Sequence, residues 1–118
     1  MAASRDTEIM PRGYRQSRRD ANHPEIVGYL RDLGVSVFEV HMVAGGLDIV
    51  CGMGGIDVRC EIKDGSKPPS ARRLTEAESK TMREWRGRPP AILMSLEDCD
   101  ALRAELLAES LDRHGLYE

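Results

Sequence analysis

The chain has 118 residues, of which 41% are hydrophobic and 31% are charged, and its formal net charge is −3. This length fits one domain with one core, and the balance of apolar and charged residues excludes a disordered protein. The longest apolar runs are too short to cross a bilayer and no signal-peptide pattern is present, so we expect a cytoplasmic protein with no membrane partner.

The first 19 residues are predicted to form a basic, flexible N-terminal arm. They include Pro11 and Gly13, and their few apolar residues follow no regular period. Five arginines against Asp6 and Glu8 give the arm a charge of +3. This charge predicts contact with DNA phosphates. The arginines assigned to this contact are Arg12, Arg15, Arg18 and Arg19.

Residues 20–118 are predicted to form the single folded domain. A first helix is predicted over residues 22–33, with Asn22 as its N-cap, Pro24 in its first turn and Gly34 after its end. The β-branched run that follows predicts a strand over residues 35–42.

Gly54 and Gly55 separate two strand-like runs and predict a tight β-hairpin. A shift of one residue would mix polar and apolar side chains on both faces, so the pattern selects one register. With the two glycines in the turn, every cross-strand pair on one face is apolar: Met53 with Ile56, Cys51 with Val58, and Ile49 with Cys60.

The same register places Asp48 opposite Glu61 on the other face, and Lys63 follows Glu61 two residues along the strand. Facing carboxylates repel each other unless a cation lies between them or one is protonated. Oxygen ligands without cysteine predict Mg²⁺ or Mn²⁺, held by Asp48, Glu61 and the backbone carbonyl of Ile62. Lys63 would orient a water or stabilise a pentacoordinate phosphate, so the set predicts phosphodiester hydrolysis.

After a polar loop, Thr75 and Glu78 form a capping box for a second helix that ends near Trp85. Trp85 is predicted to pack in the core rather than to stack on a base. A short buried strand at residues 91–94 and a last amphipathic helix through Leu111, capped by Ser95, complete the order αβββαβα.

Two further features concern charge and cysteine. Residues 67–88 carry seven basic side chains and three glutamates, a local charge of +4. This segment predicts a second DNA contact, for which we single out Lys67, Arg72, Arg73 and Lys80. The three cysteines form no CxxC pair and are predicted to be buried free thiols in a reducing compartment.

Asp48 and the run Glu61-Ile62-Lys63 resemble the motif of the PD-(D/E)XK nuclease superfamily, an acid on one strand and E-x-K on the next. The segments DANHPEIVGYLRDLG, GGLDIV, EIKDG and LTEAESKTMREW look closest to small phage and VRR-NUC-like members. The resemblance covers roughly residues 18–95. It implies an α/β (α+β) fold with a restriction-endonuclease-like core, in which helices flank a mixed sheet containing an antiparallel β-meander.

The resemblance also implies a Mg²⁺-dependent endodeoxyribonuclease that acts on branched or duplex DNA, in a bacterium or a phage-infected cell. A Holliday-junction resolvase is the sharper form, and its two symmetric cuts predict a homodimer. Glu25 matches the acid that many members carry on their first helix, where it assists the metal site. Leu47 stands where the motif usually has Pro, and Glu78 stands where VRR-NUC members usually have Gln.

Other interpretations of these residues stay open. An E-x-K run alone is common on solvated strands, so the prediction depends on its combination with Asp48, the apolar opposite face and the element order. Glu25 could be an ordinary acid near a helix N-terminus, and the basic segments could be solvated faces. Two alternative functions are a catalytically inactive DNA-binding or packaging accessory protein with the same fold, and an interaction module that does not bind nucleic acid.

Overall fold

The computed structural model describes residues 20–40 and 47–115. The predicted N-terminal arm and the end of the predicted first strand, residues 41 and 42, lie outside these ranges. Within them the predicted order αβββαβα is confirmed, with a short 3-10 turn at Pro69–Arg72 before the second helix. The elements are α1 (His23–Asp32), β1 (Ser36–Glu39), β2 (Ile49–Met53), β3 (Ile56–Ile62), α2 (Glu76–Glu84), β4 (Ala91–Leu93) and α3 (Leu96–His114).

The four strands form one mixed sheet in the order β1-β2-β3-β4. The first three strands pair antiparallel as a meander, and β4 pairs parallel to β3. The predicted hairpin register is confirmed, since Ile49 pairs with Cys60. Gly54 and Gly55 form the turn at φ values of 64° and 81°, a backbone conformation that glycine adopts without steric cost.

The hydrophobic core lies between one face of the sheet and the helices α1 and α3. The sheet contributes Ile49 and Cys51, α1 contributes Leu30 and α3 contributes Leu106, all fully buried. Their removal from water is the main driving force for folding. We call this side of the sheet the inner face and the opposite side the outer face.

The predicted burial of the three cysteines is confirmed, and all three are free. The Sγ atoms of Cys51 and Cys60 lie 3.8 Å apart inside the core. Burial raises the pKa of Cys99 to about 12. A thiol with such a pKa carries little thiolate at neutral pH, so Cys99 acts as a packing residue.

Local capping fixes where the helices begin. Thr75 and Glu78 form the predicted capping box of α2, and the Ser95 hydroxyl accepts a hydrogen bond from an N–H in the first turn of α3. Asn22 lies at the predicted N-cap position of α1, but its side chain does not cap the helix. Its Nδ2 instead donates to the carbonyl of Lys63 at 3.2 Å. This bond ties the start of α1 to the end of β3.

One packing prediction was wrong. Trp85 is 44% exposed instead of lying in the core. The reason is that no residue of α2 is buried, so this helix does not carry its C-terminal end into the core. Leu111 is also exposed, because the buried side of α3 runs through other positions: Cys99, Leu102, Leu106 and Ser110. Within the described ranges, no helix has the length and apolar character needed to cross a membrane.

Candidate metal centre

Asp48 lies directly before β2 and faces the outer side of the sheet. Its N–H donates to the carbonyl of Cys60 at 3.0 Å. Cys60 is already the ladder partner of Ile49, so this bond does not continue the register, and the predicted pair of Asp48 with Glu61 is not part of the ladder. The two carboxyl groups are nevertheless close enough to interact electrostatically. Its Oδ2 also accepts a hydrogen bond from the N–H of Ile62 at 2.7 Å. The Asp48 carboxylate thus reaches across to β3 and is held beside Glu61.

Glu61 lies within β3 and is only 4% exposed. Its Oε2 is 3.4 Å from Nζ of Lys63, whereas its Oε1 is buried and has no hydrogen-bond partner among the described residues. Burial, together with the carboxylates of Asp48 and Glu78, raises the pKa of Glu61 to about 9. Without a cation this group therefore holds a proton at neutral pH.

Lys63 follows β3 and lies between two carboxylates. Its Nζ is 3.1 Å from Oε1 of Glu78 and 3.4 Å from Oε2 of Glu61. Burial alone would lower the pKa of Lys63, but the attraction of Glu61 and Glu78 outweighs it and raises the pKa. Lys63 is therefore a fixed cation at neutral pH, suited to stabilising negative charge rather than to accepting a proton.

Glu78 has a second role that its sequence position did not indicate, besides capping α2. In the structure its Oε1 accepts hydrogen bonds from both the Thr75 N–H and Lys63. Burial opposes ionisation, but these bonds lower the pKa of Glu78 below its usual value. Glu78 is thus an ionised carboxylate that holds the lysine in place.

Asp20 is a further acid that the sequence analysis missed. It lies just before α1, with Oδ1 at 3.7 Å from Nζ of Lys67. Burial raises the pKa of Asp20, and Lys63 and Asp48 are among the charges that act on it. Its sequence signal was an acid two residues before the Asn22 cap. This position alone does not indicate a functional site, because Asp20 comes near Asp48 only through the hydrogen bond of Asn22 to the end of β3.

Glu25 is exposed on α1 and lines an open cavity of about 770 Å³ together with Asp64, Arg72 and Asp98. No hydrogen bond or ion pair joins Glu25 to Asp48 or to another carboxylate of the candidate site within the described residues. Its assignment to the metal site stays a prediction. Asp20 is the acid near α1 that the structure brings within electrostatic reach of Asp48.

Leu47, where the motif usually has proline, adopts a φ of 67° and is buried. Proline cannot adopt this conformation, because its ring fixes φ near −65°. The backbone that enters the site therefore differs from one built on proline. A branched residue at positive φ is strained, by roughly 1–2 kcal/mol. The strain lies immediately before Asp48.

The oxygen ligands at Asp48 and Glu61 suit a hard cation that keeps part of its water. Among residues 20–40 and 47–115, no three His, Cys, Asp or Glu side chains form a ready metal-binding group. Mg²⁺ nevertheless needs only one or two protein carboxylates, because it keeps waters and accepts phosphate oxygens. Asp48 and Glu61 supply two, and the buried, unpartnered Oε1 of Glu61 fits a cation. Ile62 adds only backbone groups, since its side chain is in the core.

The basic residues predicted to contact DNA are spread over several positions. Lys67 lies nearest the carboxylates, through its ion pair with Asp20. Arg72 donates from Nε to the carbonyl of Lys67 at 2.7 Å and so stiffens the loop after β3. Arg73 and Lys80 are exposed. The arginines of the arm lie outside the described residues: Arg12, Arg15, Arg18 and Arg19.

Comparisons with protein-family models, with curated proteins and with solved structures find no match to this chain. A functional assignment therefore depends on the chemistry of the site itself.

Proposed function

We propose that this chain is a Mg²⁺- or Mn²⁺-dependent endodeoxyribonuclease with a restriction-endonuclease-like core of the PD-(D/E)XK type. One observation carries the proposal: Glu61 is buried beside Asp48, and its Oε1 has no partner among the described residues. Leaving a buried polar atom unpaired costs about 1–3 kcal/mol, and more for a charged group. A bound cation would pair this oxygen, replace the proton that Glu61 otherwise holds, and neutralise the charges of both carboxylates.

The chain's own residues have distinct roles in this proposal. Asp48 and Glu61 hold the cation, with the Ile62 carbonyl as a third protein oxygen. When bound, the cation would lower the pKa of a water molecule and neutralise charge on the phosphate. Lys63 stabilises charge that develops on the phosphoryl oxygens. Glu78 positions Lys63 through the 3.1 Å contact.

The proposed substrate is DNA, either branched or duplex, and Lys67 is the described basic residue best placed to meet a phosphate near the site. A Holliday-junction resolvase is the sharper form of the proposal. Two symmetric cuts would require a homodimer, because each protomer carries one such site. A bacterial or phage setting in the cytoplasm belongs to the same proposal.

A second candidate is a DNA-binding or packaging accessory protein without turnover. It is favoured by one observation, that the charges of the site can balance without a metal. Asp48 is bonded to the Ile62 N–H, and a protonated Glu61 can stand beside the ionised Glu78 and Lys63. This candidate predicts DNA binding with no cation-dependent strand cleavage.

The test is incubation with supercoiled plasmid and with a synthetic four-way junction, in Mg²⁺, Mn²⁺ or EDTA. The variants are Glu61→Gln, which removes one ligand charge, and Lys63→Met, which removes the cation but keeps the length. Asp57→Asn is the matched control, because Asp57 is an exposed acid on the same face of β3.

We expect cleavage that requires the cation, is lost in Glu61→Gln and Lys63→Met, and persists in Asp57→Asn. Symmetric cuts confined to the junction would establish a resolvase. Binding without cleavage would favour the accessory protein. Full activity in Glu61→Gln would contradict the proposed mechanism, and absence of both binding and cleavage would exclude nucleic acid as the partner.

A further inference from the structure

Exposed hydrophobic side chains are concentrated on the outer face of the sheet. Four large ones are exposed among the described residues: Phe38 (70%), Leu111 (45%), Trp85 (44%) and Ile92 (38%). The register places Phe38, Val50 and Arg59 in one row across the sheet, and Glu61 and Ile92 in the next row. Trp85 lies against Arg59. Three of the four therefore lie on the side that carries the candidate metal centre.

Trp85 is held in a fixed position rather than left loose. The guanidinium carbon of Arg59 is 4.7 Å from the centre of its ring, a cation–π contact. A Cβ at Gly87 would lie 2.8 Å from Nε1 of Trp85, so the chain passes close along the ring edge, where a side chain would not fit. With 44% of the residue exposed, much of the ring remains open to solvent. The indole is thus an ordered aromatic surface.

The Trp85 ring lies near the candidate metal centre, because its partner Arg59 is on the same strand as Glu61. Arg59 lies two residues before Glu61 on the same face, roughly 7 Å along the strand. That separation is close to the span of one nucleotide in an unstacked strand. A phosphate held by a cation at Asp48 and Glu61 would therefore place a neighbouring base within reach of Trp85.

Three basic side chains and one acid, Glu84, lie next to Trp85 in the sequence or against its ring, a net positive charge that suits a nucleic-acid strand. Arg83 and Arg86 are exposed on either side of it in the sequence, and Arg59 lies beneath the ring. Basic side chains that follow the backbone and aromatic rings that stack on bases are the two parts of single-strand binding sites. In a duplex the base faces are covered by their neighbours, so only an unpaired base can stack on a side chain.

We propose that Trp85, backed by Arg59, stacks on an unpaired DNA base one nucleotide from the phosphodiester bond that is cut. This inference rests on the proposed nuclease function and deepens it. The preferred substrate is then DNA with unpaired nucleotides at the cut, such as a flap, a frayed branch point or a single strand. Fully paired duplex is the poorer substrate.

Trp85 is the single tryptophan of the chain, so fluorescence excited at wavelengths that the three tyrosines do not absorb reports on Trp85 alone. The probes are a 12-nucleotide oligo(dT) and a blunt duplex of equal length, titrated into the full chain in EDTA, where no cleavage occurs. We expect oligo(dT) to quench the fluorescence and the duplex to leave it unchanged. Single-strand binding without quenching would overturn the inference.

Variants test the same contact without relying on fluorescence of the protein. By anisotropy of labelled DNA, Trp85→Leu should weaken oligo(dT) binding roughly tenfold and leave duplex binding unchanged. Trp85→Phe should restore most of the affinity, since it keeps an aromatic face, and Leu111→Ala should have no effect. Equal single-strand affinity in Trp85→Leu and the wild type, with both folded by circular dichroism, would also overturn the inference.

Cleavage of the same DNAs in Mg²⁺ separates this inference from the proposed function. If Trp85→Leu cleaves DNA as fast as the wild type and unpaired DNA is not preferred, the stacking role is overturned and the nuclease proposal stands. Quenching by oligo(dT) without cleavage supports stacking as a binding function and contradicts the nuclease. Absence of binding to either DNA overturns both.

Discussion

The two faces of the β2–β3 hairpin differ in how completely their side chains are satisfied. On the inner face Ile49, Cys51 and Cys60 are fully buried among apolar neighbours. On the outer face Glu61 is equally inaccessible but has an unpartnered oxygen, and Phe38 in the neighbouring strand is largely exposed. The side chains on the two faces of the same strands therefore differ in role. Those on the inner face stabilise the fold, whereas the outer face keeps a buried unpaired oxygen and an exposed aromatic ring, which are features that suit a binding site.

Replacing Glu61 should reduce cleavage more than any other change on the outer face. Replacing it with glutamine should lower cleavage at least 1000-fold, about 4 kcal/mol in activation free energy, because a ligand charge is lost. Chemical denaturation in EDTA at neutral pH should show nearly equal stability, because Glu61 holds a proton there and glutamine is likewise uncharged. Asp57→Asn should change neither quantity. A Glu61→Gln protein that is less stable but still cleaves would show that Glu61 serves the fold instead.

Replacing a residue of the inner face should lower stability and leave cleavage nearly unchanged. Ile56→Ala, at the turn end of β3, should lower the free energy of unfolding by about 2–5 kcal/mol, since Ile56 is 2% exposed. Cleavage by the folded fraction should change little. Asp57→Ala, the next residue and on the outer face, is the control and should cost under about 0.5 kcal/mol. Urea denaturation measures both. Equal effects at Ile56 and Asp57 would break the contrast between the faces.

Stability should also depend on pH through the buried carboxyl group of Glu61. The pKa of Glu61 is about 9 in the folded protein, against 4.5 for an unperturbed glutamate. Between these values the folded chain binds more protons than the unfolded chain, so stability should fall as pH rises from about 4.5 to about 9. The total change should be on the order of a few kcal/mol.

Urea denaturation in EDTA at several pH values measures this slope. Glu61→Gln should flatten it, and so should Mg²⁺, because a cation favours the ionised carboxylate in the folded state. Ile56→Ala should shift the whole curve downward without changing its slope. If the slope persists in Glu61→Gln, the buried proton belongs to another group.

The sequence predicted the features that are determined by residues close together in the chain. The hairpin register followed from the alternation of side chains around Gly54, and the start of α2 followed from Thr75 and its capping partner. Both are set within a few residues, and both are confirmed. The nearness of Asp48 to Glu61 was also predicted from that register, but the ladder ends at Ile49, and the Asp48 carboxylate reaches β3 through its bond to the Ile62 N–H.

Tertiary contacts account for what the sequence did not predict. Asp20 comes near Asp48 only because Asn22 binds the carbonyl of Lys63 across the fold. The exposure of Trp85 depends on how α2 lies over the sheet, which its amphipathic pattern does not specify. The positive φ of Leu47 likewise has no local signal, since leucine rarely adopts it.

The smallest effect we predict concerns α2, which has no buried residue and contacts the outer face through Lys63–Glu78 and Arg59–Trp85. Thr75→Ala removes the hydroxyl that accepts from the Glu78 N–H and should cost about 1 kcal/mol or less. Because α2 is outside the core, the loss should appear as faster amide exchange within the helix more than as lower global stability. Cleavage should fall a few-fold as Glu78 loosens its hold on Lys63, and Thr75→Ser should restore it. If Thr75→Ala lowers the global free energy of unfolding as much as Ile56→Ala does, α2 unfolds together with the core. The helix on the outer face would then contribute to stability as the helices on the inner face do.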